Sequence, residues 1–151
     1  MDTASPEFAV ALLAGLPDAV VYADAAGKIR LWNAGAQRMF GFEAGEALGN
    51  SLDLIIPEGL RKRHWDGFDA TMRNGTTRYG DGQLLSVPAL CKDGSRISVE
   101  FTIVAFKDAT GAMLGIAAVM RDATARFNEL RALRQELAAL KAGLPAARRK
   151  E

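Results

Sequence analysis

Two short apolar runs separated by a polar turn constrain the fold more than any other part of the chain. Leu16-Pro17-Asp18-Ala19-Val20-Val21-Tyr22-Ala23-Asp24 leads through Ala25-Ala26-Gly27-Lys28 into Ile29-Arg30-Leu31-Trp32-Asn33. Strand-forming residues on both sides of a glycine-containing turn predict a β-hairpin, with strands near 19–23 and 29–32. Asn33 then opens a helical run over 34–40, and Gly41 stops it.

The remaining elements follow from periodicity and punctuation. Residues 1–6 read as a loose end. Apolar spacing predicts a helix over 7–15, with Phe8, Leu12 and Leu13 on one face and Gly15 as its stop. A shorter helix is expected near 43–48, ending at Gly49. Leu52-Asp53-Leu54-Ile55-Ile56-Pro57 is an apolar bridge, after which Pro57 and Glu58 start a helix that runs to about Arg73 before Asn74-Gly75. Three further strands are expected near 83–91, 96–106 and 113–121, with turns at Asp93-Gly94 and Asp108-Ala109-Thr110-Gly111. In 96–106, Ile97, Val99, Phe101, Ile103 and Ala105 alternate with Ser98, Glu100, Thr102 and Val104, so one face of that strand is apolar. The class is α+β: a five-stranded antiparallel sheet with helices over one face.

A chain of 151 residues is long enough for one domain with a real core. A net charge of +1 gives no electrostatic case for nucleic acid or an acidic membrane as partner. The single cysteine, Cys91, excludes an internal disulfide and fits a reducing, cytoplasmic setting, where a packed thiol is its ordinary state. No apolar run approaches the roughly 20 residues that span a bilayer, and Asp2 and Glu7 with no basic stretch do not read as a signal peptide.

The C-terminal segment has a different pattern. From Asp122 to about Ala142 it reads as helix, and Leu130, Leu133, Leu137, Leu140 and Leu144 are spaced three, four, three and four apart. That seam either packs back on its own domain or forms a parallel coiled coil between two copies. Two heptads are marginal in water, so a dimer would also use the domain surface or the N-terminal helix.

The string LPDAVVYADAAGKIRLWNAGAQRMFGF resembles the opening of a PAS domain. The likeness continues in EALGNSLDLIIPEGLRKRH, KDGSRISVEFTIVAF and GIAAVMRDATARFNEL, in the family's order, over roughly residues 11–127. The resemblance implies a sensory module with an N-terminal helical cap at 1–15, the PAS domain at 16–121, a signalling helix at 122–144 and a basic tail at 145–151. Asp122-Ala123-Thr124 matches the Asp-x-Thr at which that helix leaves the sheet.

The segment Ile56-Pro57-Glu58-Gly59-Leu60-Arg61-Lys62-Arg63-His64 is similar to the matching piece of oxygen-sensing heme PAS domains, where a histidine at that helix position binds the iron. His64 is the chain's only histidine, and Phe68 and Met72 follow at i+4 and i+8 on one helical stripe. A neutral imidazole is a suitable axial ligand for heme b. The plain alternative is a satisfied structural histidine. The chain departs from the rhizobial oxygen-sensor type, in which an arginine follows a Gly-x-Gly pair: Gly80-Asp81-Gly82 is followed by Gln83 and Leu84. Gln83 could donate a hydrogen bond to a bound gas, and Arg78 could pair with a heme propionate or simply stand in solvent.

Other chemistries find less in the residues. Photoactive flavin-binding relatives carry a cysteine where Gly49-Asn50-Ser51-Leu52 has Leu52. Trp32 could flank a flavin or belong to the core, and Trp65 reads as a surface or interface aromatic. No Cys/His cluster, phosphate loop or nucleophile elbow is present, so an enzyme is not expected. The first reading is a heme-b sensor of gas or redox state that signals through a homodimer. The second is a PAS interaction module whose pocket is empty or holds another small apolar ligand, and the third is a flavin redox sensor. Only about thirty residues follow the sheet, so the output should lie in a downstream effector protein or a fused domain.

Overall fold

The computed structural model describes residues 2–77 and 82–144. Helix α1 (Pro6–Gly15) starts on Ser5, whose hydroxyl accepts the Phe8 amide at 3.2 Å. Strands β1 (Ala19–Asp24) and β2 (Ile29–Trp32) form the expected hairpin, followed by α2 (Ala34–Phe40) and the single-turn helix α3 (Ala44–Ala47). A 3₁₀ turn at Leu52–Leu54 leads to α4 (Glu58–Asn74). Then come β3 (Leu85–Leu90), β4 (Arg96–Lys107), β5 (Met113–Asp122) and α5 (Thr124–Ala142).

The five strands make one antiparallel sheet in the order β2-β1-β5-β4-β3. The last strand, β5, lies at its centre beside chain-distant β1, with Ala19 opposite Met120 and Val21 opposite Ala118. Period-two alternation sends Ala19, Val21, Val99 and Met120 to one face. There they meet Ala36 and Phe40 of α2, Ala47 of α3 and Ile55 in the core. On the other face Tyr22 and Phe106 meet edge to face at 5.5 Å over Gly115, where a Cβ would lie 2.6 Å from the Tyr22 hydroxyl. Pro88 has no amide to give a ladder, and β3 is an edge strand, where that loss is tolerated.

Asn33 holds the junction of three elements. Its Oδ1 accepts the amides of Val20 at 2.8 Å and Ala36 at 2.9 Å, and its Nδ2 donates to the carbonyls of Leu13 and Asp18 at 3.0 Å. A buried amide with all these partners caps α2 and ties it to β1 and α1.

Two expectations need correction. Leu12 does not share a packed face with Phe8 and Leu13: it is 52 % exposed, whereas the other two are half-buried. The helix is apolar on every side, so periodicity could not choose its face. The alternative in which the C-terminal helix folds back on its own domain also fails. No residue of α5 is buried, and Leu130, Leu133, Leu137 and Leu140 are 46–64 % exposed. The expected basic tail, 145–151, lies outside the described residues, and no helix among those described is long and apolar enough to cross a membrane.

Candidate functional site

Helix α4 carries the candidate site, and its two ends explain its position. Gly75 closes it in a left-handed conformation (φ 69°), returning its amide to the Thr71 carbonyl at 3.0 Å. Near its start, Arg61 donates through Nε to the Ile56 carbonyl at 3.1 Å and through a terminal nitrogen to the Asp53 carbonyl at 3.3 Å. One turn later the Trp65 indole N–H donates to Asp53 Oδ1 at 2.8 Å. Three side-chain bonds therefore fasten the first half of α4 to the segment before it.

His64 stands beside that fastening. It is half-buried, with Trp65 edge-on at a centroid distance of 4.7 Å and Phe68 tilted at 5.9 Å. Trp65 and Phe68 also meet edge to face at 5.3 Å, so the three rings form one cluster. Phe68 is buried and Met72 half-buried, continuing the stripe. The His64 Nδ1 atom is buried and has no hydrogen-bond partner. Burial lowers the imidazole pKa from its ordinary value, and the carboxylates of Asp53 and Asp69 offset this only in part. The ring is thus held toward its neutral form, which is the form that ligates a metal. A buried ring nitrogen without a partner, in an imidazole held toward its neutral form and walled by aromatic and thioether side chains, would suit a ligand for heme iron.

The structure brings His64, Phe68 and Met72 together. Gln83 is exposed on the approach to β3, and Arg78, with Gly80 and Asp81, lies outside the described residues. Among the described residues no group of three or more His, Cys, Asp or Glu side chains converges as a metal site. Two open grooves, one beside Asp18, Gly35 and Arg121 and the other beside Met39, Cys91 and Ile97, include no residue of α4.

Several other candidates resolve into packing. Trp32 is a core residue: it is buried, its indole N–H donates to the Phe42 carbonyl at 2.9 Å, and its ring lies 5.5 Å from that of Phe40. Cys91 is half-buried with its Sγ 3.5 Å from the Met39 carbonyl oxygen, and burial raises its thiol pKa, so the thiolate is disfavoured. Trp65 is not a surface aromatic. Its ring covers the hairpin turn, and a Cβ on Gly27 would fall 2.3 Å from Trp65 Cη2. The only sequence sign of that seat was a glycine in a turn, a common feature that does not point to a particular partner.

Residues 7–123 match the family described as the PAS fold, and the chain belongs to that family. Among curated relatives, it is 29 % identical over 92 residues to the Sensor protein FixL of Bradyrhizobium diazoefficiens, covering 61 % of this chain and 18 % of that protein. It is 26 % identical over 113 residues to the Oxygen sensor protein DosP of Escherichia coli, covering 75 % of this chain and 14 % of the relative. The chain therefore spans less than a fifth of the length of either. Among solved structures, the PAS domain of a Colwellia psychrerythraea protein superposes with a TM-score of 0.66 at 21 % identity, covering 78 % of this chain and 96 % of that one. That likeness is one of fold.

Proposed function

We propose that this PAS domain is a sensory module that binds heme b through His64, reads a diatomic gas or redox state, and passes the signal on through a homodimer. One observation carries the reading: the chain's single imidazole is half-buried, held toward its neutral form by that burial and continuous with Phe68 and Met72, and one of its ring nitrogens has no partner. The likeness to a protein named as an oxygen sensor supports the same choice. Bound heme would supply an iron centre able to take a gas or change oxidation state. The protein would present the imidazole and wall the bound group with Phe68 and Met72, while the resemblance offers Gln83 for a bound gas and Arg78 for a propionate. The role is sensory rather than catalytic, and the output belongs to an effector protein or a fused domain.

The dimer reading rests on α5. Leucines at 130, 133, 137, 140 and 144 take a and d positions, which puts Glu129 and Glu136 at g and Arg134 and Lys141 at e. In a parallel pair each g glutamate faces the e cation five residues on in the other chain, Glu129 with Arg134 and Glu136 with Lys141. An antiparallel pair would set like charges against each other, so the charge pattern favours the parallel one.

A second reading, a dimerisation module whose pocket is empty or holds another small apolar ligand, is favoured by the same exposed seam, which needs no cofactor. The deciding experiment is titration of the purified chain with hemin, followed by visible absorption. The heme reading expects a shifted Soret band in the wild type that is lost in His64→Ala, because the sequence holds no second imidazole. Absence of the shift in wild type, or an unchanged spectrum in His64→Ala, leaves the second reading.

A further inference from the structure

We infer that Trp65 is the positioning residue for the His64 imidazole, setting the angle of that ring by edge-on contact and linking it to the β1–β2 turn. In its use of the imidazole as an iron ligand, the inference rests on the heme reading above. A ligating histidine is ordinarily oriented by a hydrogen bond from its other ring nitrogen to a carbonyl, carboxylate or water. Among the described residues neither ring nitrogen of His64 has such a bond, and Nδ1 is buried without any partner. What borders the ring instead is Trp65 at 4.7 Å and an interplanar angle of 81°, and Phe68 at 5.9 Å and 33°. Rotation of the imidazole is therefore resisted by packing alone, and Trp65 is the nearer wall.

Trp65 can serve this way because it is itself fixed at two ends. Its indole N–H is bonded to Asp53 Oδ1 at 2.8 Å. Its six-membered ring sits over Gly27, whose φ of 75° and missing side chain leave the space that Cη2 and Cζ3 fill. The segment that carries Asp53 is joined to the same turn: the Leu52 amide donates to the Gly27 carbonyl at 3.3 Å, and Ser51 bridges to Lys28. One rigid side chain thus spans from the hairpin turn to the imidazole. A movement of either is felt by the other, with no mobile link between them.

The test uses the full chain as wild type, Trp65→Leu, Trp65→Phe and Asp53→Ala, with thermal melts of each as the measure of fold. Hemin titration followed in the Soret band should show Trp65→Leu losing about tenfold or more in affinity, the scale of a lost outer-shell support. Its axial-ligation spectrum should become mixed. Trp65→Phe, which restores an aromatic edge, should recover most of the loss at an equal or lower melting temperature, and Asp53→Ala should fall between. Equal affinity and an unchanged ligation spectrum in Trp65→Leu would overturn the inference, as would losses that merely track the melting temperatures. In the heme-free protein, the nuclear Overhauser contact between the His64 and Phe68 rings should weaken in Trp65→Leu. If wild type takes up no hemin, the heme reading fails by itself, and this contact decides the positioning role: unchanged intensity ends it. Should Trp65→Leu not fold, Asp53→Ala carries the same comparison, with a weakened contact expected and an unchanged one overturning.

Discussion

Asp122, the last residue of β5, holds Thr124, the first of α5: its Oδ1 accepts both the Thr124 amide at 2.9 Å and the Thr124 hydroxyl. The same hydroxyl oxygen accepts the Ser98 amide of β4 at 3.0 Å, and the Ala123 amide donates to the Ser98 carbonyl at 2.7 Å. The root of the helix is therefore bonded to two strands, and an ion pair between Arg126 and Glu100 adds to the join. Asp122→Ala removes the acceptor of both Thr124 hydrogen bonds, a loss of about 1 kcal/mol. It should leave the sheet intact while speeding hydrogen exchange over residues 125–142 severalfold. Equal protection in mutant and wild type would show that Asp122 does not couple sheet to helix.

The leucine seam is tested by changing its centre. Leu133 and Leu137 are 53 % and 51 % exposed in the single chain. About half of each side chain is already covered, so burial between copies would add roughly half of the 1.5–3 kcal/mol for full burial, or about 1 kcal/mol for each leucine of each copy. Leu133→Asp with Leu137→Asp should therefore weaken the dimer by at least about 100-fold, the equivalent of 2.7 kcal/mol. Light scattering over a range of concentrations reads this directly. A wild type that stays monomeric at high concentration would overturn the dimer reading, and a double mutant as dimeric as wild type would place the interface elsewhere.

Much of the fold was legible because it is punctuated by residues with strong local preferences. Gly27, Gly41 and Gly75 adopt positive φ at the turn and helix ends where glycine was expected to stop an element, and Asn33 caps the helix that it was expected to open. The alternation in β4 read its faces well, with Val99 buried and Val104 49 % exposed. What could not be read depends on contacts without a period. The bidentate pair between Arg121 and Asp18, at 2.8 and 3.0 Å, joins residues 103 apart. The seat of Trp65 on Gly27 joins a helix to a turn through an irregular segment, and neither partner's local sequence encodes the other. The stripe of His64, Phe68 and Met72 was legible since it lies on one helix, whereas the walls around His64 were not.

Asp24 makes the hairpin turn sensitive to pH. Its Oδ1 accepts the amides of Ala26 and Lys28, both at 3.0 Å, and its Oδ2 accepts Arg30 Nε at 2.6 Å. The Arg30 bond first, then the Lys28 amide, hold its carboxyl below the ordinary aspartate pKa. With the folded pKa below the unfolded one, the stabilisation is present above the unfolded value of about 3.9. It is lost as pH falls through the folded value. Solvent screening of this exposed turn limits the effect to about 1 kcal/mol or less. Asp24→Asn should thus lower the melting temperature at pH 7 and narrow the gap to wild type at pH 3. A constant gap across that range would show that the charge on Asp24 contributes nothing.

The last prediction isolates the contact between Gly27 and Trp65 by comparing two glycines in the same backbone region. Gly27 (φ 75°) and Gly49 (φ 83°) are both left-handed, so alanine at either incurs strain of about 1–2 kcal/mol. They differ in what a Cβ would meet. At Gly49 nothing lies within 4 Å, whereas at Gly27 the new atom would fall 2.3 and 2.4 Å from Trp65 Cη2 and Cζ3. An indole ring cannot bend away from such a contact, so the whole side chain must leave its seat and stretch its bond to Asp53. Gly49→Ala should lose about 1 kcal/mol and Gly27→Ala about 3 kcal/mol or more in urea denaturation. In a Trp65→Leu background the penalty of Gly27→Ala should shrink toward that of Gly49→Ala, a coupling of at least about 1 kcal/mol between the two sites. Additive losses would mean that the ring does not rest on Gly27, and the line from hairpin turn to imidazole would be broken at its first contact.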